Sequence, residues 1–210
     1  VFLQREVIHR TGLLLATCLV LALTSPTHAS EAADRAALVE AAGLGPEART
    51  WLAASDGGPL ALGVVLAGER GRVLVLRRAA SGSYEVEATS PVFPNDFGPG
   101  YYIEAAQSAG PGRFHVQVNM HSGCGIGVEV YRFARSGGVW RLSGYDRSDP
   151  DTLSCDINLR SREYSANLLS RKVSMTHYRD GKVAKRESRA SRSGAPMLAE
   201  FRFGLFDKEP

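Results

Sequence analysis

The chain is poor in the residues and patterns on which recognisable chemistry usually rests. Only three of its 210 residues are cysteine, three are methionine and two are tryptophan. It has no Gly-x-Ser-x-Gly elbow, so the nucleophile turn of the α/β-hydrolases has no counterpart here. It also lacks a glycine-rich phosphate loop leading into a helix. Asp146, Asp149 and Asp151 fall close together, but without the Asp-x-Asp-x-Asp-Gly spacing and distal glutamate of a helix-loop-helix calcium site. They read as an acidic turn. No apolar run reaches the roughly 20 residues that a membrane-spanning helix needs. Neither an internal repeat nor a low-complexity linker is visible. Charge of one sign is not in excess either: 25 Lys and Arg stand against 22 Asp and Glu, a net +3.

What is present begins with an export pattern. Residues 1–10 carry Arg5, His9 and Arg10 against Glu6, residues 12–23 are almost unbroken apolar, and Thr27-His28-Ala29 follows. A basic start, a hydrophobic stretch of about a dozen residues and a small residue at the cut are the layout of a secretory signal. Residues 1–29 are therefore expected to be a signal peptide cleaved after Ala29, which puts 30–210 in the periplasm or outside the cell. The alternatives are an uncleaved anchor and lipidation at Cys18. Ala16-Thr17-Cys18 is a poor lipoprotein signal, and the apolar run continues past it.

Export changes how the other two cysteines are read. Cys124 and Cys155 form an even pair in an oxidising compartment, which predicts a disulfide. The bridge would close a loop of about 31 residues and contribute roughly 3–4 kcal/mol in the chain-entropy model. Without Arg5, Arg10 and Glu6 the net charge falls to +2, unevenly placed: residues 30–59 carry −3 and residues 155–192 carry +6. Such asymmetry can mark a face for an anionic partner. In an exported protein that partner would be an anionic lipid, an envelope polymer or an acidic protein, with no role for nucleic acid.

Along the chain, residues 30–55 read as a helical lead-in. Ser30 can cap a helix that has Glu31 and Asp34 in its first turn, and Gly43 and Gly45 stop it. Pro46 can open a second short helix through Trp51 and Leu52. From residue 60 onward the pattern is that of strands. Residues 60–66 and 72–78 are apolar runs around a hairpin turn at 68–71, and 84–88 alternate strictly. Residues 93–100 read as a loop and 101–106 as a strand. The clearest strand is 113–120, with Phe114, Val116, Val118 and Met120 on one face and Arg113, His115, Gln117 and Asn119 on the other. Residues 125–134, with Val128 and Val130 on one face and Tyr131 and Phe133 on the other, read as covered on both. They turn at 136–138 into 139–142, and 146–152 read as a loop. Further strands are expected at 153–159, at 171–178 and 182–189 around Asp180-Gly181, and over 196–206. About ten strands joined by short turns, without a β-α rhythm, predict a mainly β fold in one domain spanning 30–210. Its architecture would be an antiparallel meander: a sandwich, a barrel or propeller-like blades.

The segment Met120-His121-Ser122-Gly123-Cys124 looks most like a site. A thiol three residues from an imidazole fits a cysteine nucleophile. Met120, His121 and Cys124, with His115, Met175 and His177, are also donor types that copper or zinc accepts. A bridged Cys124 would serve neither purpose. No catalytic residue, metal or cofactor is assigned.

Residues 128–133, a glycine turn, and Trp140 to Asp146 resemble a hairpin of uncharacterised periplasmic or secreted bacterial β-rich proteins. In those proteins a Tyr-Arg-Phe strand is followed by a Trp-x-Leu strand. The segment 165–171 resembles a later Ser-x-Asn-x-Leu stretch of the same proteins, with Arg171 where that pattern has glycine. Some of them resemble integrin-type or VCBS-type β-blade repeats in their first half, with an aspartate-rich calcium loop that this chain lacks. The resemblance implies export and β structure, and it implies no activity.

The sequence thus predicts an exported, non-enzymatic binding protein, of which an inhibitor or immunity-type protein is one example. Its partner would be another envelope or secreted protein, and any membrane contact would be peripheral. Candidate contact residues are Phe93, Phe97, Tyr101 and Tyr102 in an aromatic segment, and Arg171, Lys172, Lys182, Lys185 and Arg186 in a basic hairpin. Closing the core is the other role open to the Phe93 segment. The rival expectations are an envelope enzyme or soft-metal binder centred on 120–124, and a basic structural protein of the envelope.

Overall fold

The computed structural model describes residues 26–53, 59–94, 100–122, 125–150 and 160–203. One α-helix, α1 (Pro26–Ala42), precedes two antiparallel sheets. The smaller sheet holds β1 (Arg49–Ala53), β2 (Leu60–Ala67), β3 (Arg70–Arg78) and β4 (Tyr84–Thr89) in chain order, with β5 (Phe93–Pro94) pairing with β3 beyond β4. The larger sheet is an uninterrupted seven-strand meander. Its strands are β6 (Tyr101–Ser108), β7 (Arg113–Ser122), β8 (Gly125–Ser136), β9 (Val139–Pro150), β10 (Arg160–Asn167), β11 (Lys172–Arg179) and β12 (Lys182–Ala190). The fold is mainly β, as the strand pattern predicts, and the arrangement is a sandwich with a helix on its outside. The described residues form no closed barrel. None of the described helices is long and apolar enough to cross a membrane.

The apolar runs at 60–66 and 72–78 are explained by burial on both faces. Leu62, Val64, Leu66, Val73 and Val75 face the larger sheet, whereas Ala61, Val65, Leu74 and Leu76 face α1. The helix meets them with a narrow stripe, Asp34, Leu38 and Ala42, spaced four residues apart. Gly63 makes the close approach possible, because a Cβ there would lie 2.9 Å from Leu38 and 2.7 Å from the Trp51 carbonyl oxygen. Asp34 is 3% exposed and is not left unpaired: Arg78 and the Tyr84 hydroxyl each donate to its Oδ1 at 2.5 Å. Burial, and the hydrogen bond to Asp34, push the Tyr84 hydroxyl pKa up.

Several segments differ from the sequence expectation, among them 160–167, where the sequence predicts no strand and β10 pairs with both β9 and β11. The helix starts at Pro26, four residues before Ser30, and stops at Gly43 as expected, in a left-handed conformation with φ of +63°. Residues 49–53 form β1 on the edge of β2, not a second helix. The polar stretch after 145 continues β9 as far as Pro150, because it pairs with both β8 and β10. The chain end is not a strand. Met197 makes one bridge with Arg141, Leu198–Glu200 is a 3-10 turn, and Phe201 and Phe203 then enter the space between the sheets. The strand expected at 153–159 lies outside the described residues.

The two sheets are also joined by a polar clamp at a β-bulge. Val75 pairs with Ala88 and Leu76 with Val86, so Glu87 is an extra residue that breaks the strict alternation of 84–88. Its carboxylate accepts hydrogen bonds from Trp140 Nε1 at 2.9 Å and from Arg77 at 2.6 Å, and pairs with Arg135 at 3.2 Å. Burial alone would raise the Glu87 pKa, but the bonds from Trp140 and Arg77 outweigh it and hold the carboxyl below its ordinary range. A carboxyl depressed on folding adds stability above its unfolded pKa of about 4.3, and that stability is lost as the pH falls through the folded value. Glu87→Gln is therefore expected to cost about 1.5–3 kcal/mol at pH 7. Thermal melts of the variant and the wild type should differ at pH 7, and the gap should narrow progressively as the pH falls below about 4.3. A gap that stays constant down to pH 3 would show that the clamp does not act through its charge.

Candidate functional site

The larger sheet packs one face on the core, while no described element covers the other. Strand periodicity decides which residues reach that outer face. One row across the strands is Gln107, His115, Arg132, Gly144 and Asn167, and the next holds Gln117, Val130, Asp146, Ser165 and Ser174. Residues 125–134 are thus covered on one face only, with Val128 and Val130 half-buried on the open side.

At the β6–β8 end, the outer face is a hydrogen-bonded polar layer. Asn119, 8% exposed, donates to the Tyr102 hydroxyl at 3.2 Å and to Glu104 at 3.3 Å, and accepts from Gln117 at 3.0 Å. Glu104 is an extra residue in a bulge between Ile103 and Ala105, which brings its carboxylate within reach of this layer. The His121 ring stacks on Tyr102 with centroids 5.5 Å apart, and its Nε2 lies 3.3 Å from the same hydroxyl. Beside His121, Ile126 is 53% exposed. Aromatic and apolar surface held beside satisfied polar groups is the make-up of a contact face.

Further across the sheet, Arg132 and Asp146 form a two-point ion pair at 2.8 and 3.0 Å. Ser165 donates to Asp146 at 2.6 Å, and Arg132 also donates to the Ala166 carbonyl at 3.3 Å. Gly144 is required beneath this guanidinium, since a Cβ there would lie 2.6 Å from Arg132 Nε. His115 has its pKa lowered by burial and by the charge of Arg132, so it is neutral at pH 7.

The inner face carries a group that the sequence reading passed over. Glu129 is 4% exposed among aromatic residues. It accepts from the Tyr131 hydroxyl at 2.6 Å and the Tyr145 hydroxyl at 2.8 Å, and pairs with Arg147 at 3.3 Å. Burial, then the Glu129 charge, push the Tyr145 pKa well up, so this hydroxyl keeps its proton. Arg147 also binds Asp149 at 2.6 Å. Burial would lower the Arg147 pKa, but Asp149 more than offsets it and the guanidinium stays charged. The signal was available in the alternation: Glu129 shares the parity of Tyr131 and Phe133 and must point where they point.

The candidate residues read from the sequence fall in separate places. Of the two roles open to Phe93, the structure takes core closure, with the ring 2% exposed against Phe203; as a contact residue it is corrected. Tyr101 and Tyr102 are 38% and 39% exposed at the β6 edge. Arg171, Lys172, Lys182, Lys185 and Arg186 are exposed toward the opposite edge, where Lys182, Lys185 and Arg186 on β12 lie six strand spacings or about 29 Å away. They do not share one face either, because Lys185 pairs with His177 on the inner side and Arg186 with Thr176 on the outer. Met120 is buried inward while His121 points outward, so these two metal-donor types diverge. Among the described residues, no group of three His, Cys, Asp or Glu could hold a metal ion. Asp146 and Asp149 are engaged by Arg132 and Arg147. Phe97, Cys18, Cys124, Cys155 and Asp151 lie outside the described residues.

Replacing Glu129 should show that its network is structural. Glu129→Leu leaves Arg147 without this carboxylate and is expected to cost about 3–5 kcal/mol in chemical denaturation, with Glu129→Gln costing less because an acceptor remains. Equal stability of Glu129→Leu and the wild type would overturn that role. In comparisons with known proteins, no family model matches the chain, and neither the curated proteins nor the solved structures include a match.

Proposed function

We propose that the chain is an exported binding protein of the bacterial envelope, without enzymatic activity, which holds another envelope or secreted protein against the uncovered face of its larger sheet. The observation that carries this reading is the layer around Asn119. A face with no structural layer over it would ordinarily display mobile, solvated side chains. Here Tyr102, Gln117, Asn119 and His121 are cross-bonded beside the exposed Ile126. Side chains fixed before contact lose little conformational entropy on binding, which favours recognition. An inhibitor or immunity-type role fits this surface.

Photo-crosslinking tests the face. A photoreactive residue at Ile126 should give one discrete adduct in a periplasmic extract, and the same residue at Val86 should not. Val86, like Ile126, is 53% exposed, but it lies on the other sheet. Tyr102→Ala with His121→Ala should cut the adduct at least about fivefold in a protein that still folds, the lost partner of Asn119 costing about 1–3 kcal/mol of stability. Equal labelling from the two positions would sink the proposal.

The disulfide belongs to the same reading. Its support is that β8 and β9 are paired neighbours, and that the Gly125 end of one and the Pro150 end of the other fall at the same end of the sheet. Mass spectrometry of the periplasm-expressed protein should find Cys124 and Cys155 alkylated only after reduction. Rapid alkylation of Cys124 without reductant would instead revive a reactive thiol beside His121.

A further inference from the structure

We infer that the outer face of the larger sheet contains a second, separate site, a cleft that binds a small polyhydroxylated anion such as an acidic sugar. This inference stands on different residues from the contact face around Asn119 and does not depend on it. The cleft has a volume of about 530 Å³ and lies where β7 to β10 meet the β6–β7 turn, lined by Arg113, His115, Arg132, Ser143, Ser165 and Asn167 among others. That is within the range of small-molecule sites, roughly 300–1,000 Å³.

Three features of the chain build it. First, β9 carries a bulge here: Arg132 pairs with Gly144 and Phe133 with Leu142, leaving Ser143 as an extra residue in the cleft wall. Its hydroxyl donates to the Arg132 carbonyl at 3.0 Å, which fixes the bulge. Bulges concentrate beside functional sites because they re-aim side chains. Second, the absence of a Cβ at Gly144 lets the Arg132 guanidinium lie against the sheet, where Asp146 holds it at two points. Two of its five N–H donors are spent on Asp146 and one of these nitrogens also reaches Ala166 O, which leaves donor capacity on a cation that cannot swing away.

Third, the charge is unbalanced. The register places Arg113, Ala134 and Arg141 in one row across β7, β8 and β9, next to the row holding His115 and Arg132. Arg141 donates to the Ala195 carbonyl, a neutral partner. Of these arginines only Arg113 and Arg132 line the cleft, so two guanidinium groups stand beside one carboxylate, Asp146, while His115 is uncharged at pH 7 and serves as a neutral donor or acceptor. Beside them the lining offers the Ser143 and Ser165 hydroxyls and the Asn167 amide, partners for the hydroxyl groups of a sugar ring. It also holds the apolar Ala109, Phe114, Phe133, Ala134 and Leu169, on which the C–H face of a ring can pack. A neutral sugar would leave the excess positive charge uncompensated.

Isothermal titration of the purified protein with sodium glucuronate, glucose 6-phosphate and glucose tests the site, with two-dimensional amide NMR to locate binding. At least one anionic sugar is expected to bind in the millimolar range or tighter, to shift amides at Arg113, His115, Arg132 and Ser143, and to weaken as salt is raised. The two anions distinguish carboxylate from phosphate, and binding by either supports the site. Glucose should bind at least about tenfold more weakly. Arg113→Gln keeps the Arg132–Asp146 pair and should weaken anion binding at least about tenfold at unchanged melting temperature. The inference is overturned if neither anion shifts the cleft amides at tens of millimolar, or if glucose binds as well as they do. The Ile126 crosslink is read separately, so loss of one result leaves the other standing.

Discussion

The rest of the structure depends on an aromatic seam between two sheets of unequal width. Seven strands present one face to a sheet that is four strands across, and the apolar surface of the wider sheet has to be closed by something besides strands. The chain end does this. Phe201 sets its edge against Phe133 at 4.9 Å and Tyr131 at 5.6 Å, and Phe203 does the same against Phe93 and Tyr131, each at 4.8 Å. Phe114 stacks on Phe133, and Trp140 leans against Phe114. Each large side chain buried there contributes about 1.5–3 kcal/mol by transfer, and each aromatic pair roughly 0.5–1.5 kcal/mol more. The polar groups of the interior can be accommodated only because this seam holds the sheets in register. Trp140 reaches Glu87 across it, and Tyr131 and Tyr145 turn their hydroxyls to Glu129.

The bulges link that core to the surface sites. Each adds one residue to a strand and so shifts the inward-outward alternation. In β4 the added residue is Glu87, which becomes the clamp between the sheets. In β6 it is Glu104, which joins the polar layer around Asn119. In β9 it is Ser143, which forms the cleft wall, and around it Leu142 and Tyr145 both face inward although they are three positions apart. Three of the polar features described here therefore lie at places where the regular pattern of the strand is interrupted.

The same fact explains what could and could not be read from the sequence. The strand 113–120 was legible because its alternation is unbroken, and the turns at 136–138 and 180–181 because their glycines adopt positive φ. The mainly β antiparallel meander followed from such segments, whereas the choice of a sandwich over a barrel or blades did not, because strand patterns do not say which faces meet. The edge strand 49–53 was not legible: Arg-Thr-Trp-Leu-Ala suits a helix as well, and only the exposed edge of β2 decides it. The polar end of β9 looked like a loop because its residues are charged, yet two of those charges pair across strands, Asp146 with Arg132 and Arg147 with Glu129, while Asp149 binds Arg147 along the strand. Phe201 and Phe203 alternate like a strand but are held by ring contacts, with little backbone pairing. At the sites, Asn119, His115 and Arg113 were placed on the correct polar face. The importance of Arg132, Gly144 and Asp146 was hidden, because their contact depends on a register that no local pattern specifies. The basic hairpin shows the reverse: its charge is evident in the sequence, but its division over two faces appears only in the pairing of β11 with β12.

This division assigns different physical roles to the two ends of the larger sheet. The lysines and arginines of β12 are exposed and flexible, and a pair such as Lys185–Glu187 on the surface contributes little. Ordering such side chains on binding costs conformational entropy, so they are poorly suited to hold a partner tightly. Among the described residues β12 pairs only with β11, and lysines on such an edge discourage pairing with another chain. Their field nevertheless extends to about a Debye length, roughly 8 Å at physiological salt, enough to bias the approach of an anionic ligand. At the other end, Tyr102, Asn119, His121, Arg132 and Asp146 are already fixed by one another and lose less on contact. Attraction at long range and retention at short range thus fall to different strands of one sheet: the basic strand β12 supplies the first, and the cross-bonded outer face of β6 to β10 supplies the second.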